Sequence, residues 1–250
     1  MSVNAPAWLT ARPIAHRGLH DRARGVIENS LAAADAAVAG AYAIECDVQI
    51  SRDGEAIVFH DETLERLTTA QGRADARDAA ELTRLPYRDG AGAPPTLATF
   101  LAAIAGRVPV IVEIKSRFTP DMRLAERAAA VAAAQTGPVA LKSFDPGVIA
   151  HLRAADCALP LGIVAEASYD HAEWADMPPD VRRDLAALTH FPDTRPDFLS
   201  YNVGDLPHAA ATLFRLGLGR PVMTWTVRAP EQRARAARYA DQMVFEGFAP

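Results

Sequence analysis

Several patterns are absent from this 250-residue chain. Its only two cysteines, Cys46 and Cys157, are too few and too far apart in sequence for a disulfide framework or a thiolate metal site. No uninterrupted apolar run approaches the roughly 18 residues of a membrane span, and the N-terminus lacks the basic and apolar regions of a signal peptide. These absences predict a soluble cytoplasmic protein without stable membrane insertion.

No part of the sequence concentrates charges of one sign. The formal net charge is -5, and no block of like charges suggests a tail or a polybasic patch. This balance argues against a nucleic-acid partner and favours a small-molecule substrate. Lysine is rare: it occurs only at Lys115 and Lys142, and both follow short apolar runs. The ammonium groups of these two lysines are therefore expected to have a function at these positions.

Short apolar runs alternate with helical patterns along the chain, as in α/β proteins with parallel strands. The pattern predicts one domain, residues 1–250, folded as a (β/α)8 TIM barrel. Between residues 61 and 95 the periodicity fades, which predicts a small insertion after the second strand with no core of its own. An open doubly wound sheet is the competing architecture, but no Gly-x-Gly-x-x-Gly follows the first strand. The eight predicted strands are 12–15, 44–50, 109–114, 138–141, 159–164, 197–201, 221–227 and 242–245. The predicted helices include one that begins at Thr119-Pro120 and runs through Gln135, and one over 207–216.

The second predicted strand places two acids on one face. Side chains alternate along a strand, so Glu45 and Asp47 point one way and Cys46 points the other. Cys46 is therefore expected to be a buried core thiol. A turn then leads into residues 56–59, which are apolar and either extend this strand or pair with it. His60 follows, so a histidine returns toward the two carboxylates.

Active sites of such barrels lie at the C-terminal ends of the strands, so the residues there can be considered together. Carboxylates without cysteine suit Mg²⁺ or Ca²⁺. Two histidines can act as general acid and base, and arginine and lysine can hold a phosphate. The combination predicts cleavage of a phosphate ester. The residues at the strand ends are His16, Arg17, Glu45, Asp47, His60, Glu113, Lys115, Lys142 and Trp225.

In order and spacing, several segments also resemble the glycerophosphodiester phosphodiesterase family. The resemblance is dense from residue 14 to about 115 and thinner beyond. The segments are His16-Arg17-Gly18, Glu28-Asn29-Ser30, Glu45-Cys46-Asp47-Val48, Ser51-Arg52-Asp53-Gly54, His60-Asp61-Glu62-Thr63-Leu64 with Arg66, Pro95-Thr96-Leu97, Val112-Glu113-Ile114-Lys115, Ser143-Phe144 and Thr224-Trp225-Thr226-Val227.

The resemblance implies hydrolysis of glycerophosphodiesters to sn-glycerol 3-phosphate and an alcohol, with one divalent cation, Mg²⁺ or Ca²⁺. Lys142 departs from the family pattern, which usually has a small residue there; its ammonium either adds a cation to the phosphate site or reaches solvent. The roles implied are acid and base for His16 and His60, metal ligands for Glu45, Asp47 and Glu113, phosphate contacts for Arg17 and Lys115, glycerol packing for Trp225, and either site orientation or helix capping for Glu28 and Asn29. Asn29 is also expected to bind substrate.

Several alternatives stay open at this stage. The nucleophile is either water or the neighbouring glycerol hydroxyl, which would give a cyclic phosphate. A phospholipase-like enzyme acting on lysophospholipids and a non-catalytic phosphate-binding barrel are rival functions. The oligomeric state and the preferred headgroup are not predicted. Trp8 and Trp174 are expected to serve packing. The remaining histidines are expected at the surface: His20, His151, His171, His190 and His208.

Overall fold

Eight parallel strands close into a barrel in the computed structural model, which describes residues 5–250. Closure is direct, because β1 pairs in parallel with both β2 and β9. The predicted (β/α)8 barrel is therefore confirmed, and the open doubly wound sheet is wrong. The strands are β1 (Ile14–Ala15), β2 (Ala43–Ile50), β3 (Ala56–Val58), β4 (Val110–Ile114), β5 (Val139–Ser143), β6 (Leu161–Ala165), β7 (Phe198–Asn202), β8 (Val222–Val227) and β9 (Gln242–Phe245).

Helices follow most of the strands and cover the outside of the barrel. Side-chain caps begin several of them, for example from Ser30, Thr96 and Asp145, where each side-chain oxygen accepts a backbone N–H of the first turn. The helices are α1 (Leu31–Ala39), α2 (Ala79–Leu82), α3 (Leu97–Ile104), α4 (Arg123–Ala133), α5 (Pro146–Ala154), α6 (Pro179–Ala186), α7 (Phe191–Thr194), α8 (Ala209–Thr212) and α9 (Pro230–Tyr239).

Two helical predictions need correction. The helix expected to begin at Thr119 and Pro120 begins instead at Arg123, whose N–H donates to the Asp121 side chain. The continuous helix expected over 207–216 divides into α8 and a π-helix, Leu213–Gly217. In both places the apolar periodicity marks the helix correctly, but its limits depend on local hydrogen bonds that periodicity does not encode.

The hairpin formed by β2 and β3 returns the chain to the barrel rim. The two strands are antiparallel, with Val48 opposite Val58, so β3 adds to the sheet beside β2 rather than extending it. Cys46 is fully buried on the outer face of β2, as predicted, and burial raises the pKa of its thiol. The hairpin thus leaves Glu45 and Asp47 inside the barrel and His60 just beyond β3.

The segment between β3 and α3 packs on a small apolar cluster separate from the main core. The segment shares this cluster with residues outside it, and its assignment as an insertion stays a prediction. Part of the cluster comes from outside the segment, from Ile27 before α1 and from Ile57 and Phe59 around β3, so periodicity within 61–95 could not reveal it. The remaining buried members are Leu64, Leu67, Ala74, Leu82 and Tyr87.

Apolar side chains fill the N-terminal end of the barrel. Leu9 is buried there, and Trp8 packs against the same cluster, as its predicted packing role requires. The carboxylates of β2 and β4 lie toward the opposite, C-terminal end. The cluster contains Leu9, Ile14, Ala43, Ile111, Ala140, Phe198, Met223 and Val244. Among the helices of residues 5–250, none is long and apolar enough to cross a membrane.

Candidate active site

Three carboxylates meet inside the C-terminal end of the barrel. Glu45 and Asp47 lie on β2 and Glu113 lies on β4, and the pairing of these strands sets Asp47 directly beside Glu113. One oxygen from each residue lies within 4.8 Å of the others, and all three side chains are buried. Among the described residues, Glu45 Oε1 is buried, forms no well-aligned hydrogen bond and has the Lys142 ammonium 3.1 Å away. A buried acceptor of this kind, in an all-oxygen donor set, fits a hard divalent cation.

Two lysines balance this carboxylate cluster. Lys115 Nζ lies 2.9 Å from Asp47 Oδ1 and 2.5 Å from Glu113 Oε1. Burial opposes ionisation of Glu113, yet the two lysines lower its pKa to about 2. Burial likewise opposes the charge of Asp47, but Lys115, His60 and Arg17 hold the pKa of that carboxyl well below its usual value. Asp47 and Glu113 are therefore ionised at neutral pH.

Lys142 lies at the base of the cluster rather than in solvent. Its Nζ is 3.1 Å from Glu45 Oε1 and 3.0 Å from Glu113 Oε2, and its side chain is 3 % exposed. Burial disfavours its charge, but Glu45 and Glu113 raise the pKa of the ammonium above its usual value. The alternative in which Lys142 reaches solvent is wrong. The other alternative, a second cation at the phosphate site, stays a prediction.

His16 follows β1 at the rim and is held by an acid from the far end of the chain. Its Nδ1 is 2.7 Å from Glu246 Oε2, and the same oxygen accepts a hydrogen bond from Arg228. Burial disfavours the charge of Glu246, but His16 and Arg228 lower its pKa to about 2. A carboxylate at Nδ1 fixes the orientation of the ring and leaves Nε2 available for proton transfer.

His60, which follows β3, has the same arrangement. Its Nδ1 is 2.7 Å from Asp61 Oδ1, and Arg66 binds the same carboxylate. Although burial opposes ionisation, these contacts lower the pKa of Asp61. Arg66 also donates to Glu28, which holds Arg17 at 2.7 Å. A series of ion pairs through Asp61, Arg66 and Glu28 therefore links His60 to Arg17, which lies just after β1.

Arg17 lies between His16 and the carboxylates in a left-handed backbone conformation, with φ of 56°. Its backbone N–H donates to Glu45 Oε2, and its Nε lies 3.3 Å from Asp47 Oδ2. Burial works against the charge of Arg17, but Asp47 and Glu28 raise its pKa. The next residue is Gly18, with φ of 78°; a Cβ there would lie 2.8 Å from Ala33 Cβ, so the turn needs glycine.

Asn29 positions Asp47. Its side-chain nitrogen donates to Asp47 Oδ2 at 2.9 Å, and its side-chain oxygen accepts the Asp47 backbone N–H at 3.1 Å. Ser30 supplies the cap of α1, so neither Glu28 nor Asn29 caps that helix. The contacts of Asn29 favour site orientation; its direct contact with substrate stays a prediction.

Trp225 lies near the end of β8, where the sequence placed it. It is half-buried, and its indole N–H donates to the Ser200 carbonyl oxygen at 2.9 Å. Its ring packs edge-on against Phe144 with centroids 5.4 Å apart. Packing against a glycerol group stays a prediction for this residue.

Sequence reasoning missed four residues at this rim. Glu246 directly follows β9 and Glu166 directly follows β6, so extending the strand-end rule to every strand would have found both. Phe118 and Trp174 lie in irregular segments, where no pattern marked them. Trp174 was expected to serve only packing, but it lines the cavity beside His60.

The expectation of surface positions also fails for some of the remaining histidines. His20 lies only 4.0 Å from Glu246, with a side chain 17 % exposed, because the loop after β1 folds inward over the rim. His190 and His208 are half-buried as well, and Tyr201 bonds His208 Nδ1. In contrast, His171 is exposed at the rim.

Comparison with known proteins gives a family match over nearly the whole chain. The model of the glycerophosphoryl diester phosphodiesterase family matches residues 16–246. A probable glycerophosphodiester phosphodiesterase 1 from Mycobacterium tuberculosis is 41% identical over 75 residues, 30% of this chain and 26% of the relative. A glycerophosphodiester phosphodiesterase from Caldanaerobacter subterraneus is 47% identical over 60 residues, 24% of each chain. The aligned segments therefore span about a quarter of these curated relatives.

Solved structures share the fold. A phosphodiesterase from Oleispira antarctica, solved with its product sn-glycerol-3-phosphate, superposes with a TM-score of 0.76 at 20% identity, covering 95% of this chain and 93% of the other. A glycerophosphodiester phosphodiesterase from Thermotoga maritima gives a TM-score of 0.70 at 21% identity, covering 93% and 92%. With the family match across residues 16–246, these comparisons show that the chain belongs to the glycerophosphoryl diester phosphodiesterase family.

Proposed function

We propose that this chain hydrolyses glycerophosphodiesters to sn-glycerol 3-phosphate and an alcohol, with one divalent cation, Mg²⁺ or Ca²⁺, and with His16 and His60 as the acid/base pair. The observation that carries the proposal is the arrangement around β2. This strand bears Glu45 and Asp47 and pairs with both β1, which precedes His16, and β3, which precedes His60. Two carboxylate-anchored histidines therefore flank one cluster of buried acids.

The charges of the cluster suit a phosphodiester. Three carboxylates face three cations, Arg17, Lys115 and Lys142, so the protein groups alone are close to neutral. A divalent cation held by Glu45, Asp47 and Glu113 would supply Lewis-acid stabilisation of charge on the phosphoryl oxygens. Arg17 and Lys115 would bind the same oxygens from the protein side.

Proton transfer falls to the two histidines. One accepts a proton from the attacking hydroxyl, either of water or of the neighbouring glycerol carbon, as the new bond to phosphorus forms. The other donates a proton to the departing oxygen as the bond between phosphorus and the alcohol breaks. Glu246 and Asp61 hold the two rings in place for these transfers. If the glycerol hydroxyl attacks, the product of this step is a cyclic glycerophosphate, which water then opens to sn-glycerol 3-phosphate; phosphorus NMR during turnover detects the cyclic species.

The proposal is tested with purified protein, glycerophosphocholine and a lysophospholipid, each assayed with and without a chelator. Release of sn-glycerol 3-phosphate from glycerophosphocholine is expected with Mg²⁺ or Ca²⁺ and is expected to stop with chelator. Cleavage of the lysophospholipid alone would favour the phospholipase-like alternative. Cleavage of neither substrate with both metals present would contradict the enzyme assignment.

Glu246→Gln is expected to lower kcat roughly tenfold to a hundredfold. The substitution removes the charge on the hydrogen bond to His16, and hydrogen bonds to charged groups are worth roughly 1.5–3 kcal/mol. KM is expected to change little, because Glu246 bonds to the protein groups His16 and Arg228 and would not bind the substrate itself. Steady-state kinetics checks this, with the exposed Glu231→Gln in α9 as the matched control. Unchanged kcat in Glu246→Gln would remove Glu246 from the acid/base arrangement.

Lys142→Met is expected to tighten metal binding about tenfold and to lower the melting temperature of metal-free protein. The lysine holds a positive charge about 3 Å from Glu45 and Glu113, so a cation at those carboxylates is repelled by it. Without metal, the variant leaves those acids without that partner. Calorimetry with Mg²⁺ and melting curves in chelator measure both effects. Lys142→Gln, which keeps a hydrogen-bond donor, serves as the comparison; equal metal affinity in all three proteins would refute the argument.

A further inference from the structure

A cavity of about 400 Å³ opens beside the proposed catalytic residues. His60, Glu113 and Lys115 form one side of it, and three aromatic side chains, Phe118, Phe144 and Trp174, contribute to its lining. These three residues are called the aromatic wall below. The volume lies within the range of small-molecule sites, and the cavity is continuous with the site at which a phosphate would be cleaved.

The rings of the aromatic wall are in contact with one another. The Trp174 ring centroid lies 5.9 Å from that of Phe118 and 5.2 Å from that of Phe144. Phe144 also contacts Trp225, which is proposed to pack against the glycerol group. Phe144 thus separates the proposed glycerol position from the cavity. A diester bound with its glycerol at Trp225 would place its second substituent against the aromatic wall.

Hydrogen bonds hold this wall in place. The Trp174 indole N–H donates to Glu166 Oε1 at 2.6 Å, and Glu166 is buried at the end of β6. Phe118 has φ of 56°, and its backbone N–H donates to Ser116 Oγ at 3.0 Å. All three wall residues are half-buried, so each ring keeps an exposed part. The wall is therefore formed before any ligand arrives, which limits the entropy cost of binding.

A carboxylate lies beside these rings. Glu173 precedes Trp174, is exposed, and lines the same cavity. Within residues 5–250 it takes part in none of the ion pairs. The cations that line this cavity away from Lys115 are already engaged, because Arg73 and Arg117 contact Asp75 at 2.9 and 3.5 Å. The cavity thus offers aromatic side chains and a negative charge that no described cation neutralises.

We propose that the aromatic wall and Glu173 bind the quaternary ammonium of a choline leaving group, so that glycerophosphocholine is preferred over diesters with neutral alcohols. The inference rests on the proposed hydrolysis of glycerophosphodiesters. Aromatic faces attract quaternary ammonium ions, and a nearby carboxylate adds to that attraction. A neutral alcohol such as glycerol gains neither interaction.

The test compares kcat/KM for glycerophosphocholine with kcat/KM for glycerophosphoglycerol, whose leaving group is neutral. In Trp174→Ala, the ratio of the two values is expected to fall about tenfold. Glu173→Gln is expected to lower the ratio by a smaller factor, and Trp174→Phe, which keeps a ring, to retain most of it. Glu126→Gln, an exposed change on α4, is the control. An equal ratio in wild type and Trp174→Ala would overturn the proposal while leaving the hydrolase assignment intact.

A binding measurement separates this inference from the hydrolase assignment. Choline is titrated into wild type and Trp174→Ala by calorimetry. Weaker binding of choline by Trp174→Ala supports the aromatic wall even if neither diester is cleaved. Equal binding, or no binding to wild type, overturns it. Melting curves of each variant confirm that the protein is folded during the titration.

Discussion

Alanine in place of His60 is expected to reduce kcat for glycerophosphocholine by roughly 10²–10⁴-fold, and alanine in place of His16 by the same order, because positioned proton transfer contributes acceleration of that size. Each imidazole is bound through Nδ1 by a carboxylate at 2.7 Å. That contact leaves Nε2 as the nitrogen for proton exchange.

Leaving-group chemistry distinguishes the acid from the base. A diester with p-nitrophenol as its alcohol needs little help from a general acid, because the departing phenolate is already stable. The variant that lacks the acid is expected to regain most of its rate on this substrate, whereas the variant that lacks the base is expected to stay slow. The measurement is kcat for both variants on both substrates.

His151→Ala is the matched control, since this histidine lies on α5 and pairs with Glu126 far along the outer surface. It is expected to keep wild-type turnover. If both His16→Ala and His60→Ala also keep wild-type turnover, the acid/base assignment is wrong. If both lose turnover and neither regains it on the p-nitrophenyl substrate, proton donation to the leaving group is not what limits the rate.

Local patterns were sufficient to predict much of this site. The alternation along β2 separates Glu45 and Asp47 from Cys46 because successive side chains must point to opposite faces. The turn before β3 returns His60 to the same rim over a short stretch of chain. In the same way, β4 carries Glu113 and leads into Lys115. Each of these features depends on a few consecutive residues, so sequence order alone determines it.

Partners that come from distant parts of the chain were not predictable in this way. Glu246 meets His16 across 230 residues, and they meet only because closure of the barrel pairs β9 with β1. Burial of Lys142 depends on its neighbours Glu113 and Glu45 on other strands. Trp174 lies in a segment without periodicity, and its orientation follows from one hydrogen bond to Glu166. Such contacts are properties of the closed barrel rather than of any local pattern.

Glu45→Gln is expected to weaken binding of Mg²⁺ or Ca²⁺ by more than about a hundredfold and to lower kcat/KM accordingly, since even residues that only support metal ligands are typically worth 10–100-fold. Glutamine has nearly the same shape, and its oxygen can still accept the Arg17 backbone N–H that now bonds Oε2. The substitution removes mainly the negative charge at Oε1, the buried oxygen that lies 3.1 Å from the Lys142 ammonium.

Calorimetry gives the metal affinity of Glu45→Gln, and melting curves in chelator give its stability without metal; Glu126→Gln on the exposed face of α4 is the control. Loss of metal affinity with a nearly unchanged melting temperature in chelator identifies Glu45 as a ligand. The reverse result, lower stability with full metal affinity, would assign Glu45 to balancing Lys142, which lies 3.1 Å from it. The two measurements therefore separate a carboxylate that holds a cation from one that only neutralises a buried lysine.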